Sequence, residues 1–130
     1  MEKNTLLHRQ VNPSFVQADS VSSQAFSVTS QTFKPTPKDD FKLSVYNGEK
    51  YTAEDSYVHF TNEGYSSAGV LSLAVSECDT ESLPAIEDNI PFDGHSYVDF
   101  TELTGSSIEK KAKKLKKYAL ERGWQHEPVN

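Results

Sequence analysis

The chain has 130 residues, a length that suits one domain with its own hydrophobic core. Its aromatic fraction of 11% argues against a disordered chain, and its formal net charge of −6 argues against a protein that attracts nucleic acid through its overall field. The single cysteine, Cys78, excludes an intramolecular disulfide and suits a reducing compartment.

A short strand at residues 5–9 is the first predicted element. Residues 17–40 are rich in Ser, Thr and Gln and include two prolines that remove backbone donors, so this segment is predicted to be irregular. Residues 41–46, FKLSVY, alternate apolar and polar side chains, which is the pattern of a half-buried strand.

A helix is predicted over residues 53–63. Thr52 is a suitable N-cap, because its hydroxyl can accept a hydrogen bond from a free backbone N–H of the first turn. Acidic residues follow in that turn, where the helix dipole favours them. Gly64 is a suitable residue to end the helix.

The second half of the sheet is predicted from two further segments. Residues 68–76 form the most apolar run and are interpreted as a central strand. Residues 77–94 are acidic and contain two prolines, so they are predicted to form a surface loop. Residues 95–100 are interpreted as another strand, with His95 and Tyr97 on the same face.

The last predicted helix spans residues 107–122. Ser106 and Glu109 have the spacing of a capping box, and Gly123 stands where a helix often ends. Apolar residues recur along one face and predict a stripe that packs on the sheet. The stripe consists of Ile108, Ala112, Leu115 and Ala119.

The opposite face of this helix is strongly basic. Residues 107–122 carry a net charge of +5, which leaves −11 on the rest of the chain. A solvated helix face explains the lysines most simply, whereas an acidic protein partner, the chain's own acidic segment 77–94 and nucleic acid are alternatives. A protein partner is favoured over nucleic acid, and the candidate partner-binding residues are Lys110, Lys113, Lys114 and Lys117.

No familiar catalytic motif is present. The sequence has no phosphate-binding loop, no glycine-rich dinucleotide motif and no paired cysteines, and its four histidines lack metal-ligand spacing. It therefore predicts neither a metal nor a cofactor. The candidate catalytic residues are Arg9, Ser23 and His95, which could converge on an anion, although a structural hydrogen-bonding or surface role is the simpler interpretation of each.

Four segments in this order, HRQVNPSF, VSSQAF, KLSVY and PFDGHSYVDF, resemble a group of short bacterial proteins of uncharacterised activity. That group has a basic first strand, a Ser-Ser turn before Ala-Phe, an LSV strand and a late histidine after a proline. The resemblance spans roughly residues 7–100. It implies an accessory or interaction protein of a bacterial multi-protein system, such as phage defence or a toxin–antitoxin pair.

A second resemblance concerns ADP-ribosyltransferase-like toxins. Their basic first strand and following Ser-aromatic segment are similar to Arg9 and Ser22-Ser23 here, with Glu77 as the nearest counterpart of a catalytic glutamate. This resemblance implies the alternative function, a compact nucleotide-processing toxin or transferase.

The sequence thus predicts an α+β fold with a small, mainly antiparallel sheet covered by two helices. The absence of a long apolar run and of a signal-peptide pattern predicts a cytoplasmic protein that does not enter a membrane. An interaction protein is favoured over an enzyme.

Overall fold

The computed structural model describes residues 1–18 and 26–128, and five of its strands form one antiparallel sheet in the order β5-β1-β4-β7-β6. The strands are β1 (Leu6–Gln10), β2 (Val16–Ala18), β3 (Phe26–Val28), β4 (Lys42–Asn47), β5 (Val70–Ala74), β6 (Ala85–Glu87) and β7 (His95–Asp99). The helices are α1 (Ala53–Asn62), α2 (Val75–Thr80) and α3 (Gly105–Arg122). The predicted α+β fold with a mainly antiparallel sheet is confirmed.

The alternation that predicted β4 and β7 places their apolar residues on the core side. Leu43 of β4 lies opposite Val98 of β7, and both are buried. His95 and Tyr97 are half-buried on the other face, as the alternation predicts. The sheet therefore has one mainly apolar face and one mixed face.

Helix α3 covers the apolar face of the sheet. All four residues of the predicted stripe are buried, so its amphipathic character is confirmed. Gly123 follows the helix with a φ of 88°, a conformation that favours glycine. None of the described helices combines the length and the apolar character needed to cross a membrane.

The predicted capping box of α3 is wrong. The helix begins at Gly105, and its N-cap Thr104 makes no side-chain capping bond. Glu109 instead forms an ion pair with Lys34. The carboxylate that the local motif would have used thus pairs with a cation from a distant segment, so that both partners of the hydrogen bond are charged.

Helix α1 lies over part of the mixed face. Its start and end are as predicted, because the Thr52 hydroxyl accepts from the Asp55 N–H at 3.0 Å and Gly64 has a φ of 94°. Its residues contact β1 and β5. The Gln10 side-chain amide of β1 donates to the Ser56 hydroxyl of α1 at 2.9 Å, which ties the helix to that half of the sheet.

The prediction of a surface loop at 77–94 is wrong for residues 77–87, which contain most of α2 and all of β6, whereas residues 88–94 form neither helix nor strand. Two apolar side chains, Cys78 and Leu83, are buried in the core. Glu77 forms an ion pair with Arg122, and Glu81 forms one with Lys111. The charges of Glu77 and Glu81 are thus neutralised by α3, so they do not keep this part of the segment in solvent. The most apolar run also ends earlier than predicted because Val75 already belongs to α2.

The described residues of segment 17–40 form more regular structure than predicted. They contribute to an antiparallel pair of strands, β2 and β3, and to two short 3₁₀ turns, Ser30–Phe33 and Pro37–Asp39. The first of these turns packs against α3, and its Phe33 is fully buried. This turn closes one edge of the core and brings residues 31–36 to the neighbourhood of β1.

Candidate functional site

A cleft of about 720 Å³ is lined by consecutive residues of β1 and β4. These two strands pair at only two positions, Leu7 with Asn47 and His8 with Tyr46. Beyond His8 the strands separate, and side chains from α1 and from the turns around residues 31–39 and 91–95 complete the lining. Its volume is in the range of pockets that hold small molecules.

Arg9 places its guanidinium in the gap between the two strands. Its Nε donates to the Thr32 carbonyl oxygen at 2.8 Å, and its Nη1 donates to the Ser44 carbonyl oxygen at 2.9 Å. Burial lowers the pKa of Arg9 to about 10, and the nearby Asp39 carboxylate opposes this only in part. The guanidinium therefore remains charged at neutral pH, in a side chain that is half-buried.

Arg9 has no full counter-charge in the described part of the chain. Both of its hydrogen-bond acceptors are neutral backbone carbonyls. Among residues 1–18 and 26–128, no carboxylate lies within the 4.0 Å that defines an ion pair with it. Partial burial of a cation that lacks a paired anion costs free energy, so the guanidinium attracts an anion that enters the cleft.

Another part of the lining is a cluster of aromatic rings and histidines. The Tyr46 hydroxyl lies 2.9 Å from His59 Nδ1. The Phe92 ring centroid lies 4.4 Å from that of His59 and 5.5 Å from that of His95. Tyr51 packs edge-on against Tyr46, with 5.0 Å between the centroids. β4, α1, β7 and the turn before β7 thus each contribute a ring to one surface.

The histidines of this cluster have acidic neighbours. His95 Nδ1 lies 2.7 Å from a carboxylate oxygen of Asp88, and His59 Nε2 lies 4.0 Å from one of Glu63. Burial, with contributions from Tyr51 and Glu63, raises the pKa of Tyr46, so its hydroxyl stays protonated while it is hydrogen-bonded to His59 Nδ1. His59 is thereby held in one orientation at the edge of the cleft.

His8 has a structural role beside Arg9. Its Nε2–H donates to the Tyr51 carbonyl oxygen at 3.0 Å, since a carbonyl only accepts, and its Nδ1 accepts from the Ser72 hydroxyl at 2.7 Å. Burial lowers the pKa of His8, and the hydrogen bond to Tyr51 opposes this in part. The imidazole is therefore neutral in the folded protein.

We expect the stability of the protein to fall as the pH drops below about 6.5, the ordinary pKa of histidine, because the unfolded chain then binds a proton at His8 that the folded protein resists. The slope from one such group is at most about 1.4 kcal/mol per pH unit. Urea unfolding at pH 7.5, 6.5 and 5.5 measures it. A His8→Gln variant should show a smaller loss over this range.

Equal pH dependence of the variant and the parent protein would contradict this account of His8. The titration of carboxylates does not affect the comparison of the two proteins between pH 7.5 and 5.5. Burial raises the pKa of Glu81, but hydrogen bonds from Tyr118 and Lys111 together with the charges of nearby lysines lower it by more. The hydrogen bond from Lys34 lowers the pKa of Glu109. Their stabilising contribution is lost only at pH values below the window measured.

Two of the three candidate catalytic residues predicted from the sequence, Arg9 and His95, line the cleft. The strand registers set His8, Tyr46 and His95 on one face, so Arg9 starts from the opposite face. It reaches the same cleft because its guanidinium turns into the gap beside Ser44. Ser23 lies outside the described residues, and joint action of the three stays a prediction.

Glu77, the proposed counterpart of a catalytic glutamate, is engaged elsewhere. Its two carboxylate oxygens accept from both terminal nitrogens of Arg122, at 2.9 and 3.0 Å. One of them also accepts from the Ala74 N–H at 2.8 Å. Glu77 therefore joins α2 to α3, and it is not among the residues that line the cleft.

The candidate partner-binding lysines of α3 are all exposed; they are Lys110, Lys113, Lys114 and Lys117. Lys114 lies 3.6 Å from Glu81, and its neighbour Lys111 lies 3.2 Å from the same carboxylate. The chain's own acidic segment therefore neutralises one edge of the basic face. The remaining three have no ion pair in the described part of the chain, and their binding to a partner stays a prediction.

Sequence reasoning missed the ring cluster around His95. Its members Tyr46, His59 and Phe92 belong to three separate elements, and only the folded sheet brings them together. The one available signal was the density of aromatic and histidine residues in residues 46–60, where five of fifteen are Tyr, His or Phe.

Comparison with known proteins adds no further constraint on the site. No protein-family model matches this chain, and neither curated proteins nor solved structures give a significant match. The two resemblances described above therefore stay predictions.

Proposed function

We propose that this protein is a binding module whose cleft captures an anionic group, a phosphate or a carboxylate, of its ligand or partner. The observation that carries the proposal is Arg9, a half-buried cation held by two neutral carbonyls beside an open cleft. A guanidinium has five N–H donors, and the two hydrogen bonds leave its Nη2 edge for a ligand. Its planar fork matches the oxygens of a phosphate or carboxylate.

The other cations of the lining have partners of their own. Lys34 is paired with Glu109, and the Lys42 ammonium lies 5.1 Å from the centroid of the Tyr97 ring. Asp39 also lines the cleft and raises the Arg9 pKa without forming an ion pair. An anionic ligand must therefore compete with the Asp39 carboxylate for the Arg9 guanidinium. This competition favours a small anionic group that can reach Arg9 directly.

Binding is favoured over catalysis by the state of the nucleophiles. Cys78 is buried away from the cleft lining, and burial with two acidic neighbours raises its pKa to about 12. Ser44 and Thr36 line the cleft, but within the described residues neither of them hydrogen-bonds a histidine that could activate it. These features support an interaction protein, while the nucleotide-processing alternative would require activity that depends on His95.

We expect inorganic phosphate to bind the parent protein and to bind Arg9→Met at least about tenfold more weakly, since a hydrogen-bonded charge pair contributes roughly 1.5–3 kcal/mol. Calorimetric titration at constant ionic strength measures this, with acetate as the carboxylate probe. Arg9→Lys serves as a second variant, because it keeps the charge and loses the fork. Circular dichroism checks that each variant is folded.

A matched control is the triple variant Lys110→Ala, Lys113→Ala, Lys117→Ala, which removes three exposed cations and leaves Arg9 in place. It should bind phosphate as the parent does. If the triple variant loses phosphate and Arg9→Met retains it, the anion is held by α3 and the cleft proposal is wrong. An unchanged affinity in Arg9→Met contradicts the proposal in the same way.

A further inference from the structure

Two stacked aromatic rings stand at the exposed part of the cleft. The ring centroids of Phe60 and Tyr65 lie 5.1 Å apart with an angle of 27° between their planes, and both residues line the cleft. Gly64, with its φ of 94°, ends α1 and turns the chain so that Tyr65 returns over Phe60. Tyr65 is 63% exposed, so its ring offers a flat apolar surface to a ligand.

An anion at Arg9 would leave most of the cleft empty. The volume of about 720 Å³ is many times the ~30 Å³ that one water molecule occupies in the liquid, and a phosphate is only a few times larger than water. The lining also includes two exposed, uncharged polar side chains, Gln31 and Ser44, which can hydrogen-bond hydroxyl groups. The cleft therefore offers contacts to an anion, to hydroxyls and to a flat ring.

We propose that the ligand is a nucleoside monophosphate, with its phosphate on Arg9 and its base stacked on Tyr65. This inference rests on the proposed function, since it assigns the anion to Arg9. Stacking on an aromatic side chain suits any base, because every base has a π face. The polar side chains Gln31 and Ser44 favour a sugar-bearing ligand over a simple aromatic carboxylate.

The charges of the lining favour one phosphate over several. Among the described cations of the cleft, Lys34 is paired with Glu109, and neither Lys42, which lies over the Tyr97 ring, nor Arg9 forms an ion pair. The acidic side chains Asp39 and Glu63 line the same cleft. A chain of phosphates would bring further negative charge against these carboxylates. The net charge of −6 likewise disfavours a nucleic-acid strand, whose affinity depends on many phosphate contacts.

The test compares four probes by calorimetric titration: AMP, CMP, ribose 5-phosphate and inorganic phosphate. We expect AMP and CMP to bind on the order of tenfold more tightly than ribose 5-phosphate, as base stacking would give. Tyr65→Ser should reduce nucleotide binding to the level of ribose 5-phosphate and leave phosphate binding unchanged. Tyr65→Phe, which retains the ring, should retain the nucleotide affinity.

A matched control is Val58→Ser, which removes an exposed apolar side chain of α1 that does not line the cleft. If ribose 5-phosphate binds as tightly as AMP, or if Tyr65→Ser leaves AMP binding unchanged, the nucleotide inference is wrong while the anion proposal stands. If AMP binds but Arg9→Met does not weaken it, the anion proposal is wrong. If none of the probes binds at millimolar concentration, both are wrong.

Discussion

Leu115→Asp should lower the free energy of unfolding by about 4 kcal/mol or more, because it removes a buried leucine and places a carboxylate in an apolar core. Leu115 is fully buried in the centre of the α3 stripe. The total stability of a domain of this size is only about 5–15 kcal/mol, so the variant can be largely unfolded. Urea unfolding measures the loss, and Leu115→Ala, expected to cost about 2–5 kcal/mol, keeps the comparison quantitative.

The matched substitution on the other face of the helix is Lys113→Glu. Lys113 is exposed, so reversing its charge should change the stability by less than about 1 kcal/mol. It does reduce a favourable interaction with Glu109, whose lowered pKa owes a small part to Lys113. Two urea transitions of equal midpoint for Leu115→Asp and Lys113→Glu would contradict the buried position of the stripe.

Elements that depend on interactions between residues close in the sequence were predictable. The apolar stripe of α3 was predictable because its residues lie three and four positions apart. The strand at His95–Asp99 was predictable because its side chains alternate between the two faces of the sheet. The ends of α1 follow from Thr52 and Gly64, each of which acts within one turn of the helix. None of these features depends on a partner from a distant part of the chain.

The errors arise where a distant partner changes a local preference. Glu109 has the spacing of a capping box, but Lys34, which is 75 residues away, takes its carboxylate. Segment 77–94 is acidic enough to suggest a loop, but Arg122 and Lys111 of α3 neutralise Glu77 and Glu81. A single sequence without its fold does not show which charges meet.

The site was predictable only in part for a similar reason. Arg9 and His95 could be singled out by residue type and position, but their meeting in one cleft depends on the register of β1 against β4. A shift of one residue would move each side chain to the opposite face. The gap that admits the Arg9 guanidinium exists because these strands pair at two positions and then separate, which neither strand shows alone.

Phe33→Ala should lower the free energy of unfolding by about 3–5 kcal/mol, the usual cost of a large cavity in a core. Phe33 is fully buried although it lies in the segment that was predicted to be irregular. It belongs to the turn Ser30–Phe33, which packs against α3 and also supplies the Thr32 carbonyl that holds Arg9. Urea unfolding measures the loss of stability. Titration with phosphate under conditions in which the variant is folded measures the affinity of the cleft for the anion.

Gln31→Ala is the matched control, because Gln31 belongs to the same turn and is exposed. It should change the stability by no more than about 0.5 kcal/mol. Equal stability of the two variants would mean that the turn does not close the core. If Phe33→Ala is destabilised as expected, phosphate affinity should also fall in the folded fraction, because the Thr32 carbonyl then positions the guanidinium less firmly. An affinity equal to that of the parent would show that Ser44 alone is sufficient to hold Arg9 in place.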